Sequence, residues 1–345
     1  MTDRISGSAF KQMVLFGAAC ITLEREAIND LNVFPVPDGD TGTNMSLTIQ
    51  TAANELKKNQ PVTVSDAASI TASALLRGAR GNSGVILSLL FRGVSKYLKG
   101  DEEADGVQLA GALKEGVATA YSAVMKPAEG TVLTVSRLAA DRAAEAAEEC
   151  NSVEYVLQEA IRKGLETLDE TIEMNPVLKK AGVVDAGGKG YLVILDGMLR
   201  ALRGEEIPDV SEEKAESKAD FSALSEEEIT FTFDTVFIVR KWENTSIEPL
   251  RAYLSTIGDC LVIGEDDDAF KVHVHTDIPG AALTEAQKYG TLELAKIENM
   301  RTQYEEMAAG KTPQSTDDLD MAEDSFQNYT PVSGETKPAK AAPEK

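Results

Sequence analysis

The chain has 345 residues, 43% of them hydrophobic, and a formal net charge of −23. That length supports two domains with cores of their own, while the acidic excess excludes a nucleic-acid binder, whose phosphate partner demands basic surface. No apolar run reaches the roughly eighteen residues of a membrane span, and the three widely separated cysteines form neither a disulfide framework nor a paired metal knuckle, as expected in the cytoplasm.

Residues 5–30 read as a first helix. Phe10, Met13, Val14, Gly17 and Ile21 recur at helical spacing, which favours a helix over a targeting segment for the mostly apolar stretch 13–23. The loop Asn32-Val-Phe-Pro-Val-Pro-Asp-Gly-Asp-Thr-Gly-Thr-Asn-Met45 follows. Pro35 and Pro37 stiffen its approach, and Gly39 and Gly42 let main-chain amides come close to a ligand. Asp38 and Asp40 flank Gly39, so a curved loop turns both carboxylates inward, where they repel each other unless a cation sits between them. Hard oxygen ligands at this density suit Mg²⁺, which takes its remaining ligands from water and phosphate. Thr43, Asn44 and Ser46 are N-cap types, so a helix over 43–58 starts there with its positive end facing the loop, where a phosphate would rest. An Asp/Gly/Pro surface turn is the plainer alternative. The flanking prolines, paired carboxylates and adjoining helix start together favour a metal and phosphate site.

After Pro61 an alanine-rich helix from Ser65 runs to about Arg77 and empties into Arg77-Gly-Ala-Arg-Gly-Asn-Ser-Gly84. Gly81, Asn82 and Ser83, followed at once by an apolar helix over 85–91, repeat the arrangement of amides and hydroxyl that holds phosphate oxygens at a helix start. A helix-to-helix turn with glycine caps would look similar. Residues 106–125 and 134–149 read as further helices, with Gly130-Thr131 as a third glycine-bearing candidate between them. Residues 153–173 are helical, and Asp185, set among glycines in Ala181-Gly-Val-Val-Asp-Ala-Gly-Gly-Lys-Gly190, is either a helix cap or a nucleotide contact before a last helix over 191–202. There is hardly a strand signal up to here, so residues 1–204 read as one all-α domain.

Residues 205–228 are dense in Glu, Ser, Lys and Asp and read as a solvated acidic linker. Beyond them the period switches to two. Strands are expected over 229–239, 260–263, 269–275 and 292–297, with helices over 246–257 and 279–289, giving an α+β module over 229–310. From 311 to 345 the chain is polar and core-poor, and a disordered tail is expected.

The chain's two histidines are His273 and His275, one residue apart on an expected strand, so both imidazoles share a face. They form half of a transition-metal site that could take Zn²⁺, or serve as proton carriers. Asp234 on the first strand is a candidate third member, orienting an imidazole or binding the same metal. Its plainer role would be a strand-edge acid that discourages aggregation.

The Asn32–Met45 stretch, Arg80-Gly-Asn-Ser-Gly84 and Val183-Val-Asp-Ala-Gly-Gly188 resemble the nucleotide-binding domain of bacterial fatty acid kinase, related to the L subunit of dihydroxyacetone kinase. Lys271-Val-His-Val-His-Thr276 and Lys296-Ile-Glu-Asn-Met-Arg301 resemble that kinase's middle domain. The resemblance implies an eight-helix barrel followed by a small α+β domain. It implies ATP and Mg²⁺ held through Asp38 and Asp40 with help from Asn32, with Asn82 and Ser83 near the phosphates and Thr43, Asn44, Gly81, Thr131 and Asp185 as further nucleotide contacts. It also implies phosphorylation of a fatty acid carboxylate, presented by a separate DegV-like fatty-acid-binding protein, to give an acyl phosphate for phospholipid synthesis. The middle domain would then form a homodimer and carry the residues needed for transfer, His273 and His275. Well-known members have a cysteine as partner of these histidines, and Asp234 stands in its place. Family members also continue into a carboxy-terminal domain that docks the carrier, where this chain has a polar tail. The rival readings are a kinase for a small hydroxy-ketone and a catalytically silent nucleotide- or metal-binding regulator.

Overall fold

The computed structural model describes residues 2–209, 230–243 and 245–308. Its first part is helical: α1 (Gly7–Leu23), α2 (Arg25–Asn29), α3 (Thr41–Lys58), α4 (Val64–Gly78), α5 (Gly81–Tyr97), α6 (Gly106–Ala123), α7 (Val132–Glu149), α8 (Val153–Met174), α9 (Pro176–Ala181) and α10 (Ala186–Leu202). Local chemistry sets many of the starts. Thr63 with Asp66 and Asp105 with Gln108 form capping boxes on α4 and α6, Ser6 caps α1, and Asn175 followed by Pro176 opens α9.

Two of these helices are short, and the other eight among the described residues form a closed ring. Each packs on the next in the order α1, α3, α4, α5, α6, α7, α8, α10, and α10 returns to α1. The interior is filled by one apolar cluster that includes Phe10, Met13, Ile49, Leu75, Val85, Leu113, Val135 and Leu195. Residues Phe10, Met13, Val14, Gly17 and Ile21, which mark the helical period of α1, are all buried. Closure depends on close approach at the α1–α10 crossing, where a Cβ on Gly197 would lie 2.8 Å from the Gly17 Cα and 3.0 Å from the Phe16 carbonyl oxygen. Backbone atoms cannot yield as a side chain can, so Gly197→Ala is expected to cost about 1–3 kcal/mol. A lower urea midpoint at unchanged slope would register it.

The second part is an antiparallel sheet with helices on one face. Its elements are β3 (Phe233–Lys241), α11 (Glu248–Ile257), β4 (Gly258–Glu265), β5 (Ala269–Thr276), α12 (Pro279–Ala286), β6 (Gly290–Asn299) and α13 (Met300–Ala308), with strand order β4-β5-β3-β6. Alternation along the strands sends Phe237, Val239, Phe270, Val272 and Val274 into a core shared with Leu250 and Leu254 of α11 and Ala282 and Ala286 of α12. The opposite face rests on the end of the helical ring. Val262 of β4 bridges to Val124 after α6, the Met125 amide donates to the Leu261 carbonyl at 3.4 Å, and Arg251 donates to the Ala123 carbonyl at 3.0 Å.

Several boundaries differ from those expected. The first helix breaks at Glu24 into α1 and α2, and a short pair, β1 (Arg4–Ile5) with β2 (Ala104–Asp105), ties the start of the chain to α6. α3 begins at Thr41, with Asp40 rather than Thr43, Asn44 or Ser46 at its cap, and Ser46 instead lies 3.0 Å from the Thr22 hydroxyl. α5 begins at Gly81 and α10 at Ala186, so their glycines and polar residues sit in a first helical turn, not in a preceding loop. α9 and α13 have no counterpart among the expected elements; each is short and weakly patterned. The tail from 311 and most of the 205–228 stretch lie outside the described residues.

Candidate active site

Every second helix of the ring, α3, α5, α7 and α10, starts at the end covered by the sheet. Between these starts and the sheet is a cleft of about 350 Å³, lined by Asp40, Thr41 and Asn44 at α3, Gly81, Asn82 and Ser83 at α5, Thr131 and Val132 at α7, and Asp185 and Gly187 at α10. Free amides and positive dipole ends therefore converge on one space. The sheet closes it with Asp234, Asp259, Cys260, His273, His275 and Glu298, and α13 adds Met300 and Gln303.

The Asp38–Asp40 turn is built by asparagines. Asn32 is buried; its amide donates to Asp38 Oδ1 at 2.5 Å and to the Val36 carbonyl at 3.0 Å, while its own oxygen accepts from Thr41. Gly39 turns the chain at φ +66°, and a side chain on Gly42 would strike the Arg25 carbonyl. Burial raises Asp38 well above the usual carboxylate range, helped by the neighbouring Asp40, to which it hydrogen-bonds. Burial likewise pushes Asp40 up to about 6 against the lowering bonds from Asp38 and Asn44. Two buried carboxyls so placed repel each other when ionised, and they form a donor set that fits a hard divalent ion.

The sheet face toward the cleft is ordered by register. Glu298, Asp234, His275 and Asp259 stand side by side across β6, β3, β5 and β4, and His273 follows one step along. The two imidazoles meet Nε2 to Nε2 at 3.1 Å, with His273 Nδ1 3.4 Å from Asp234 Oδ1 and His275 Nδ1 3.7 Å from Asp259 Oδ1. Asp234 Oδ1, His273 Nδ1 and Asn82 Oδ1 are buried with no hydrogen-bond partner. Ligand atoms of Asp234, His273 and His275 lie within 4.8 Å of one another, as do those of Asp259, Cys260 and His275, so a metal could be held from either side of His275. Burial pushes Asp234 up to about 6 and Cys260 up to about 12. It drives His273 down to about 3 and His275 down to about 4. Both rings are therefore neutral across physiological pH. Their NMR signals are expected to stay flat between about pH 5 and 8, where an ordinary histidine titrates; a midpoint near 6.5 would contradict the burial.

Of the residues singled out in the sequence, Asp38, Asp40, Asn32, Asn44, Gly81, Asn82, Ser83, Thr131, Asp185, Asp234, His273 and His275 all line this one cleft. Thr43 does not: its amide and hydroxyl are both engaged by Asn29 at 3.0 Å. Asn32 faces the cleft but spends its polar atoms on Asp38 and Thr41, and as a metal ligand it would have to release Thr41. Asp185 accepts from the Gly188 amide at 2.6 Å and from the Val132 amide, so it caps α10 and ties it to α7, and burial pushes it up to about 7. Thr131 caps α7. Sequence reasoning misses Asp259, Cys260 and Glu298 as site residues. The alternation of Lys296 and Glu298 on β6 is a signal for Glu298; Asp259 and Cys260 have none, because a bulge between Asp259 and Val262, with Cys260 at φ +49°, turns them inward.

Comparison with known proteins agrees with this two-part layout. Residues 35–200 match the DAK2 domain, placing the helical ring in the class of dihydroxyacetone-kinase-type nucleotide domains. Residues 230–307 match the FakA-like middle domain of fatty acid kinases. The chain therefore belongs to the FakA-like fatty acid kinase family, whose domain architecture it has. Uncharacterized proteins of Staphylococcus haemolyticus and Staphylococcus aureus (strain USA300) are 40% and 39% identical to it over 316 residues, 89% of this chain. The chain spans 57% and 58% of those relatives' lengths. The dihydroxyacetone kinase of C. freundii, crystallised with AMP-PNP and Mg²⁺, aligns at a TM-score of 0.45 and 19% identity over 58% of this chain and 35% of that one. No helix among the described residues is long and apolar enough to cross a membrane.

Proposed function

We propose that the chain is the ATP-binding component of a fatty acid kinase, transferring the terminal phosphoryl group of ATP to a fatty acid carboxylate held by a DegV-like binding protein. The product would be an acyl phosphate for phospholipid synthesis. In this reading residues 1–204 bind Mg²⁺-ATP and residues 229–310 complete the site and pair two copies. The observation that carries it is the opposition of charges in the cleft: four helix starts face six carboxylates, Asp38, Asp40, Asp185, Asp234, Asp259 and Glu298, with Lys126 as the lining cation. A polyphosphate enters such a space only in company with divalent ions, which is how Mg²⁺-nucleotide arrives.

Asp38 and Asp40 are the residues that would hold Mg²⁺, and Asn32 orients Asp38 for it. Bound there, the ion would neutralise charge on the terminal phosphates. Amides at the α3 and α5 starts, with Asn82 and Ser83, would grip phosphate oxygens and keep the leaving group in line. A carboxylate oxygen attacks the terminal phosphorus, the bond to the bridging oxygen breaks, and its electron pair leaves on ADP. The acceptor is already ionised, so no strong base is needed. Neutral His273 and His275 serve as hydrogen-bond donors that orient the acceptor and offset charge on the transferring group. β6 is an edge strand with Leu294 51% and Ile297 38% exposed, a surface suited to a second copy.

A single-turnover reaction with γ-labelled ATP and a fatty-acid-loaded carrier tests the proposal. Label trapped as a hydroxamate-forming acyl phosphate is expected. Label on added dihydroxyacetone would point to a small-molecule kinase, and tight nucleotide binding without transfer to either would point to a regulator.

A further inference from the structure

β5 carries a third polar residue on the face that bears the histidines. Alternation places Lys271 there with His273 and His275. Unlike them it does not line the cleft. Its side chain is only 4% exposed and reaches into the helical domain, where Nζ donates to the carbonyl of Ala79 and, at 3.4 Å, to that of Arg77. These belong to the last turn and C-cap of α4. Carbonyls there lack intrahelical partners and lie at the negative end of the helix dipole, so a buried ammonium is matched in both charge and hydrogen bonding.

The segment it grips leads directly into the cleft. After Ala79, Arg80 donates its amide to Thr48 Oγ1 at 3.0 Å, and Gly81 then opens α5 at φ +56° with no room for a side chain against Asn44. Asn82 and Ser83 come next. The α4–α5 link is thus clamped between Thr48 of α3 and Lys271 of the sheet. β5 is paired on both sides, with β4 and β3, and two residues of strand span about 7 Å. The path from Ala79 through Lys271 to His273 is short and stiff.

We propose that Lys271 is a positioning residue that fixes the α4–α5 link to the histidine strand, so that a ligand held by the start of α5 is felt at His273 and His275. The inference rests on the function proposed above only in naming that ligand as Mg²⁺-nucleotide.

Lys271→Met keeps the aliphatic stem and removes the ammonium, and Lys271→Arg restores a cation. With only two histidines in the chain, imidazole NMR signals report directly on the strand. Titrating Mg²⁺-AMP-PNP should shift both signals in the wild type. In Lys271→Met the calorimetric affinity should stay within about threefold while the imidazole shifts fall to roughly a third or less, with partial recovery in Lys271→Arg. In the ligand-free protein, exchange of the Gly84 amide, which donates to the Arg80 carbonyl at 3.0 Å, should rise about tenfold in Lys271→Met while α8 amides are unchanged. Unchanged Gly84 exchange, an undiminished imidazole response, or a parallel loosening of α8 would each overturn the proposal. Failure of the wild type to bind nucleotide would instead remove the proposed function, and the ligand-free exchange comparison would still decide the role of Lys271.

Discussion

Replacing Asp38 and Asp40 together with asparagine is expected to abolish Mg²⁺-nucleotide binding and, in the same protein, to raise the stability of the ligand-free fold above about pH 6. The first effect follows from removing both anionic ligands from a buried cation site, a loss on the order of 3–5 kcal/mol, or a hundred- to several-thousand-fold in Kd. Isothermal calorimetry measures it, and retained affinity would refute the assignment. The second effect follows from linkage. Asp38 and Asp40 both have folded pKa values raised by burial, so the folded state binds more protons than the unfolded state between the usual carboxylate value and the raised one. Stability from these groups is present at low pH and is lost as pH rises through the folded pKa, about 6 for Asp40. Asparagine resembles the protonated form at every pH, so the variant escapes that loss. Urea midpoints followed from pH 4 to 8 should diverge upward for the variant, and Mg²⁺ should stabilise only the wild type.

The histidines act with the opposite sign. Their folded values, about 3 for His273 and about 4 for His275, lie below the unfolded value, so their contribution is present above about pH 6.5 and disappears as the solution is acidified toward the folded values. In the wild type the two trends overlap and partly cancel between about pH 4 and 6. Replacing both histidines with asparagine should expose the carboxylate trend alone.

That double replacement carries the second large expectation, a fall of about a hundred- to ten-thousand-fold in the single-turnover transfer rate, with nucleotide affinity little changed. The imidazoles stand on the far wall from the α3 and α5 starts, so they meet the acceptor side of the reaction and not the nucleotide. Because both rings are neutral at working pH, the rate should show no inflection near 6.5. Normal turnover in the variant would exclude the histidines from the reaction.

Much of this was readable in the residues. The Asp38-Gly-Asp40 turn announces itself because paired carboxylates between prolines and a helix start have few uses, and His273 and His275 because a strand's alternation fixes their common face. The period change after the acidic stretch separated helical from sheet residues. What escaped was tertiary. Nothing local told that Thr43 would turn to Asn29, since that depends on α2 lying against α3. Nor could spacing along one strand tell that Asp259 and Cys260 would join His275, which requires the β4 bulge and the β4–β5 register. The cleft itself lies between segments far apart in sequence, joined by contacts such as Lys271 with Ala79.

That seam has a consequence for how the protein comes into being. The acidic turn is synthesised early, yet the wall that shields it from water arrives only with β3 to β6. A ribosome-bound chain that has completed its ring still presents Asp38 and Asp40 to open solvent, where they would ionise like any surface acid and hold no ion firmly. Reactivity is thereby deferred until translation has passed the last strand, and an incomplete product is harmless by construction.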